Sequence, residues 1–214
     1  MVLGRKFKRS KRLGSKVNMV ESTGNFYGLG TIRSREILKS CAILGIPESH
    51  VHIFNDSSLP DSPVADWPIS KIQDIILPVI YYLQPHSVIT FDDYGVSGHK
   101  NHIAISKALR YVNFFYTFIR AFSLESCPLY RKYTSIIDLP LSFMVSDHMA
   151  VVSPLGFIRG LRAMLSHRSQ MEWFRYLYIL FSRYMLINTL QEIHHHGNYL
   201  WSSAAMETGK QQSK

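Results

Sequence analysis

The sequence predicts an α/β fold, a mostly parallel sheet covered by helices. Three short apolar runs, at 16–20, 51–54 and 87–91, read as strands. Each is followed by a loop rich in Gly, Pro, Asp or Ser and then by a segment with helical spacing. Repetition of strand, loop and helix is the pattern of parallel strands joined by helical crossovers. With 214 residues, 46% of them hydrophobic, the chain fits one medium domain with a substantial core.

Taken in order, residues 1–16 form a basic lead-in containing Arg5, Lys6, Lys8, Arg9, Lys11, Arg12 and Lys16. After the first strand, residues 21–30 form a glycine-rich loop in which backbone can approach a ligand closely. Thr31 reads as an N-cap, Ile37, Leu38, Cys41 and Leu44 keep helical spacing, and Gly45 with Pro47 ends the helix. The second strand leads into a surface loop at 55–66, and Pro68 opens a helix towards Leu83 that Pro78 must kink or shorten. The third strand leads into a helix over 103–110, which the aromatic-rich run 111–122 extends. Further strands are predicted at 133–137 and 148–152. Ser153-Pro154 starts a helix that breaks at 166–170, and a last helix covers 171–187. The organisation is therefore a lead-in at 1–16, a domain at 17–188 and a mobile polar tail at 189–214.

Charge and cysteine content narrow the class. A net charge of +9 suits an anionic partner, such as a phospholipid surface or a phosphorylated ligand. No nucleic-acid motif accompanies it, so nucleic acid is not an expected partner. Cys41 and Cys127 provide no disulfide framework. No apolar run reaches the roughly 18 residues needed to span a bilayer. The nearest, 173–190, is interrupted by Arg175 and Arg183. That points to a soluble or membrane-peripheral chain. Trp173, Phe174, Leu177, Tyr178, Phe181 and Tyr184 on the last helix suit either core packing or a helix lying in a membrane interface.

The densest chemistry lies at Asp92-Asp93-Tyr94-Gly95-Val96-Ser97-Gly98-His99-Lys100-Asn101-His102. It falls between the third strand and its helix, at the carboxyl end of the sheet where α/β proteins gather ligands. His99 and His102 project from neighbouring positions on a helical first turn, a spacing suited to a metal, with Asp92 and Asp93 at hand. The alternative is a pair of exposed histidines on an ordinary helix start.

Thr90-Phe91-Asp92, Gly95-Val96-Ser97-Gly98-His99 and Asn101-His102 together resemble the second metal motif of the LmbE-like (PIG-L) zinc deacetylases. Other stretches agree in order: Ser22-x-Gly24-Asn25, Gly30-x-x-Arg33-x-x-Glu36, Cys41-x-x-Leu44-Gly45-Ile46-Pro47 and Arg131-Lys132-Tyr133. So do Asp138-Leu139-Pro140-Leu141-Ser142 and His167-Arg168-Ser169-Gln170 with Trp173-Phe174-Arg175. The likeness is strongest to the eukaryotic branch, which acts on N-acetylglucosaminyl-phosphatidylinositol.

The resemblance implies a Rossmann-like three-layer sandwich and zinc-assisted hydrolysis of a glucosamine acetamide on a phosphatidylinositol glycolipid. That is a step of GPI-anchor synthesis, at the cytoplasmic face of the endoplasmic reticulum membrane. By motif position, His102 is a zinc ligand and His99 the catalytic histidine facing the oxyanion. Ser22, Gly24, Asn25, Arg33, Glu36, His167 and Arg168 fall at substrate-binding positions. The family's remaining metal ligands and its catalytic aspartate lie in an A-H-P-D-D-E motif, and no His-Pro-Asp-Asp occurs in these 214 residues. The resemblance therefore implies a truncated member lacking its first strand. A second reading stays open: a relative that binds sugar-phosphate lipid or a membrane surface without turnover.

Overall fold

The computed structural model describes residues 17–22, 28–62, 65–115 and 119–194. Two sheets organise them. β1 (Met19–Ser22) and β2 (Val51–Phe54) pair in parallel, Met19 opposite Val51. The second sheet has the order β3-β4-β6-β5, with β3 (Ser87–Phe91), β4 (Arg120–Leu124), β5 (His148–Val151) and β6 (Ile187–Ile193). β3 and β4 run parallel, whereas β6 is antiparallel to both of its neighbours. The parallel part is thus the first half of the chain, as its strand–helix alternation predicts.

Helices cover these strands. α1 (Gly30–Leu44) ends at Gly45, whose φ of 84° lets its N–H reach back to the carbonyls of Cys41 and Ala42. α2 (Ile69–Leu83) retains Pro78 in its interior. A single turn, α3 (Gly95–Gly98), precedes α4 (Lys100–Phe115). The pairing of α2 with α4 builds the core. Leu59, Trp67 and Ile72 pack on Ala104 and Ala108, two small residues four apart on one face of α4. Ile80 packs on Leu109, Val112 and Ile119. Each such fully buried aliphatic side chain contributes about 1.5–3 kcal/mol.

Beyond β4 the chain runs through α5 (Leu129–Lys132), a 3₁₀ turn at Ser135–Asp138 and α6 (Leu139–Val145). After β5 come α7 (Pro154–Leu165), 3₁₀ turns at Arg168–Gln170 and Arg183–Met185, and α8 (Trp173–Phe181). Ser153 caps α7 by accepting the Gly156 N–H at 3.1 Å, as Ser-Pro predicts. This half is held by a buried ionic knot. Arg131 Nε and one of its terminal nitrogens donate to the two Asp138 oxygens at 2.7 and 3.0 Å. Ser142 Oγ donates to Asp138 at 2.5 Å, and Arg183, wholly buried, stands 3.1 Å from the same carboxylate. Burial alone would raise the Asp138 pKa, but Arg131, Ser142 and Arg183 together hold it below the usual carboxylate value.

Several expectations change. Residues 133–137 are not a strand; they turn through a 3₁₀ segment with Ile136 and Ile137 exposed. β4 and β6 were not expected. The first replaces the C-terminal end of the helix expected over 111–122, and the second enters the region assigned to a mobile tail from 189. Residues 187–193 are instead an inner strand, with Ile187, Thr189 and Leu190 buried. The last helix stops at Phe181 rather than 187, and Thr31 lies inside α1 rather than capping it. The lead-in 1–16 and the tail from 195 lie outside the described residues.

Candidate active site

The loop after β3 is folded around Asp92. One Asp92 oxygen accepts the Tyr94 and Gly95 N–H groups at 3.2 and 2.9 Å and the Ser126 hydroxyl at 2.6 Å. The other accepts the Ser126 N–H at 2.6 Å. Ser126 Oγ in turn accepts the Val96 N–H at 2.8 Å, fastening the loop to the segment after β4. Asp93 is engaged by Arg110 at 3.0 Å and by the Ser106 hydroxyl at 3.3 Å. Both aspartates therefore shape the loop instead of facing the histidines as a ligand pair.

This scaffold sets the backbone in an unusual path. Gly95 has φ 64°, and a Cβ there would meet His102 Cβ at 2.9 Å. Val96, a β-branched residue, sits at φ 68°, a conformation that costs about 1–3 kcal/mol and survives only when neighbours enforce it. The Ser126 bond is that enforcement.

His102 lies on the first turn of α4 with its ring stacked on Phe91, centroids 3.9 Å apart and planes 9° apart. Its Nδ1 is 3.1 Å from the Gly95 carbonyl oxygen. With Nδ1–H donating there, Nε2 carries the free lone pair. Burial lowers the His102 pKa, the Gly95 carbonyl and Asp61 raise it, and His99 lowers it further, with a net fall. The ring is therefore neutral at neutral pH and Nε2 is fit to bind a metal. His99 stacks on His102 at 4.8 Å, and its buried Nδ1 has no hydrogen-bond partner among the described residues.

Asp61 was missed because 55–66 reads as a surface loop. That loop is anchored by buried Leu59, Ser62 and Trp67, with Trp67 Nε1 donating to the Pro60 carbonyl at 2.8 Å. A Leu and a Trp flanking a Pro/Asp run were the signal that the loop turns inwards. Asp61 pairs with Arg33 of α1 and acts electrostatically on His102, so it brings Arg33 to the site. Glu36, one helical turn further along α1, accepts the Ser169 N–H at 2.7 Å and the Ser169 hydroxyl at 2.6 Å. It thereby holds the 168–170 turn that carries Arg168. Burial lowers the pKa of His167, which precedes this turn, despite the opposing field of Glu36. Ser22 ends β1, while Gly24 and Asn25 lie outside the described residues.

A zinc centre of the catalytic type takes three protein ligands. His102 offers one, but no group of three His, Cys, Asp or Glu side chains able to hold a metal occurs among the described residues. The described residues alone therefore do not complete a metal centre.

Comparison with known proteins places this geometry. Residues 4–113 match the family model described as PIG-L, GlcNAc-PI de-N-acetylase. The chain is 42% identical over 173 residues to the N-acetylglucosaminyl-phosphatidylinositol de-N-acetylase of Bos taurus, covering 79% of this chain and 68% of the relative. The chain belongs to the PIG-L family. A probable de-N-acetylase of the same name from Dictyostelium discoideum is 32% identical, with 80% of each chain covered. Among solved structures, N,N'-diacetylchitobiose deacetylase from Pyrococcus horikoshii superposes with a TM-score of 0.54 at 15% identity. That likeness covers 81% of this chain and 71% of the other, and it establishes the PIG-L chain's fold. PIG-L deacetylases are generally metal-dependent.

Proposed function

We propose that this PIG-L protein deacetylates N-acetylglucosaminyl-phosphatidylinositol, yielding glucosaminyl-phosphatidylinositol and acetate. The observation that supports this best is a neutral His102 with Nε2 free, beside a His99 whose Nδ1 lacks a partner among the described residues. Zinc is the metal this reading implies, with His102 Nε2 its ligand among the described residues.

The chain's own residues take distinct parts. Phe91 stacking and the Gly95 carbonyl fix the His102 ring and its tautomer. A ring N–H of His99 donates to the acetamide oxygen as charge builds on it, the kind of contact worth about 2.7–4 kcal/mol. Arg33 and Asp61 present paired charge to the sugar hydroxyls or the phosphate. The Glu36–Ser169 latch positions His167 and Arg168 for the anionic part of the lipid. The family resemblance assigns Ser22, Gly24 and Asn25 to the sugar as well, Gly24 and Asn25 lying outside the described residues. The product would enter GPI-anchor synthesis, at the cytoplasmic face of the endoplasmic reticulum.

No helix among the described residues is long and apolar enough to cross a membrane. The protein would meet its glycolipid from the membrane surface.

Incubation of the chain with zinc and the acetylated glycolipid tests the reading through release of acetate. Turnover that disappears in His102→Ala is the expected result. The absence of a third metal donor among the described residues favours one competing reading, a sugar-phosphate binder without turnover. Saturable glycolipid binding with no acetate released would select it.

A further inference from the structure

We infer that α8 and the adjoining α5–α6 segment form a bilayer-docking face that seats the protein on an anionic phospholipid surface beside its active site. Leu129, Tyr130, Ile137 and Met144 on the first segment are 71, 73, 79 and 81% exposed. Trp173 and Leu180 on α8 are 73 and 64% exposed, and of the nine residues of α8 only Ile179 is buried. The two segments touch. Tyr133 meets Tyr178 edge-on at 6.5 Å, and Lys132 Nζ sits 5.7 Å over the Tyr178 ring. Soluble monomers rarely leave a contiguous apolar patch of more than a few hundred Å².

Three observations select a bilayer as the occupant. The apolar side chains include Trp173, Tyr130 and Tyr176, whose amphipathic rings suit the headgroup level. Arg159, Arg162 and Arg168 are exposed on α7 and the turn that leads into α8, against Asp147 and Glu172 as exposed acids. Cations flanking an apolar helix add attraction to anionic lipid. The face is also continuous with the site. α8 begins three residues after Gln170, in the turn that Glu36 holds, and Arg175 reaches back to the Gln170 side chain at 3.4 Å.

This inference rests on the deacetylase reading for its geometry. In N-acetylglucosaminyl-phosphatidylinositol only a sugar, an inositol, a phosphodiester and a glycerol separate the acetamide from the acyl chains. A bilayer holding those chains must therefore lie near His102, and α8 is the apolar surface that starts at the rim of the site.

Cosedimentation with vesicles of phosphatidylcholine and phosphatidylinositol tests it without any substrate. The whole chain should bind. A Trp173→Ser, Phe174→Ser, Leu180→Ser variant should bind at least about tenfold more weakly. A Tyr81→Ser, Tyr82→Ser variant, altered at positions 73 and 82% exposed on α2, should bind like the parent. Should the triple variant not fold, brominated lipid supplies a second measurement, quenching tryptophan fluorescence in the parent but less in Trp173→Phe. Equal binding by a folded triple variant, no binding by the parent, or self-association through α8 in place of vesicle binding would each overturn the docking face. Acetate release from a water-soluble, acyl-free analogue reports the deacetylase reading separately, since it requires no bilayer.

Discussion

Two arginine–aspartate clusters in this protein have opposite designs. In the knot of Arg131, Asp138 and Arg183, the Asp138 side chain is 3% exposed, accepts from Arg131 and Ser142 and stands 3.1 Å from Arg183. In the pair of Arg33 and Asp61, the carboxylate is 37% exposed and lies within electrostatic reach of a neutral imidazole. The first closes upon itself and ties α5, α6 and the turn after α8 together. The second stays partly open to solvent. The first is a buried, charge-paired cluster of the kind that holds a fold, whereas the second keeps accessible charge within reach of His102.

The comparison breaks most readily at the knot. Asp138→Ala should destabilise the fold by about 3–5 kcal/mol, because two arginines, one wholly buried, lose their counter-charge. Urea unfolding measures this, and a loss below about 1 kcal/mol would mean the knot is not structural. The open cluster should behave in the reverse manner. His99→Ala should lower deacetylation by about a hundredfold to a thousandfold while changing the urea midpoint little. A parallel fall in stability would reassign His99 to packing.

Gly95→Ala tests the scaffold between them. Positive φ and the 2.9 Å approach to His102 should together cost about 1–3 kcal/mol and displace the imidazole. Calorimetry and metal titration of the variant would report both. Ser153→Ala, at a residue of neither cluster, should cost only about 1 kcal/mol through loss of its cap on α7.

The smallest effect concerns pH. Burial lowers the pKa of His102 and His167 below the 6.5 of a free imidazole. As pH falls through 6.5 the unfolded chain therefore takes up protons before the folded one does. Stability should be full above that value and decline below it. Melting temperatures that stay flat or rise between pH 7 and 5.5 would contradict the burial of these rings.

The sequence made the local parts of this structure legible. β2, β3, the Gly45 stop and the Ser153 cap depend on a few neighbouring residues, and all are observed. The loop from Asp92 to His102 was found for the same reason. What it did not reveal depends on partners distant in the chain. β4 starts inside the aromatic run 111–122, whose first part does continue α4 to Phe115, and β6 mixes Asn188, Thr189 and Gln191 among its apolar residues. Pairing β6 between β4 and β5, more than its own composition, makes it a strand. The run 133–137 has strand-forming residues but pairs with no strand among the described residues, and it turns instead. Asp61 escaped notice because only the inward packing of Leu59 and Trp67 brings it to Arg33.

The place of β6 has a consequence for synthesis on the ribosome. Residues 187–193 lie between β4 and β5, which do not pair with each other. Until Ile193 has left the exit tunnel, one edge of β4 and one edge of β5 have no strand to bind. For that interval nascent β5 is unpaired, and chaperones or neighbouring chains can compete for the open edges. The second sheet is therefore completed late, in a single step, by the last strand of the described chain.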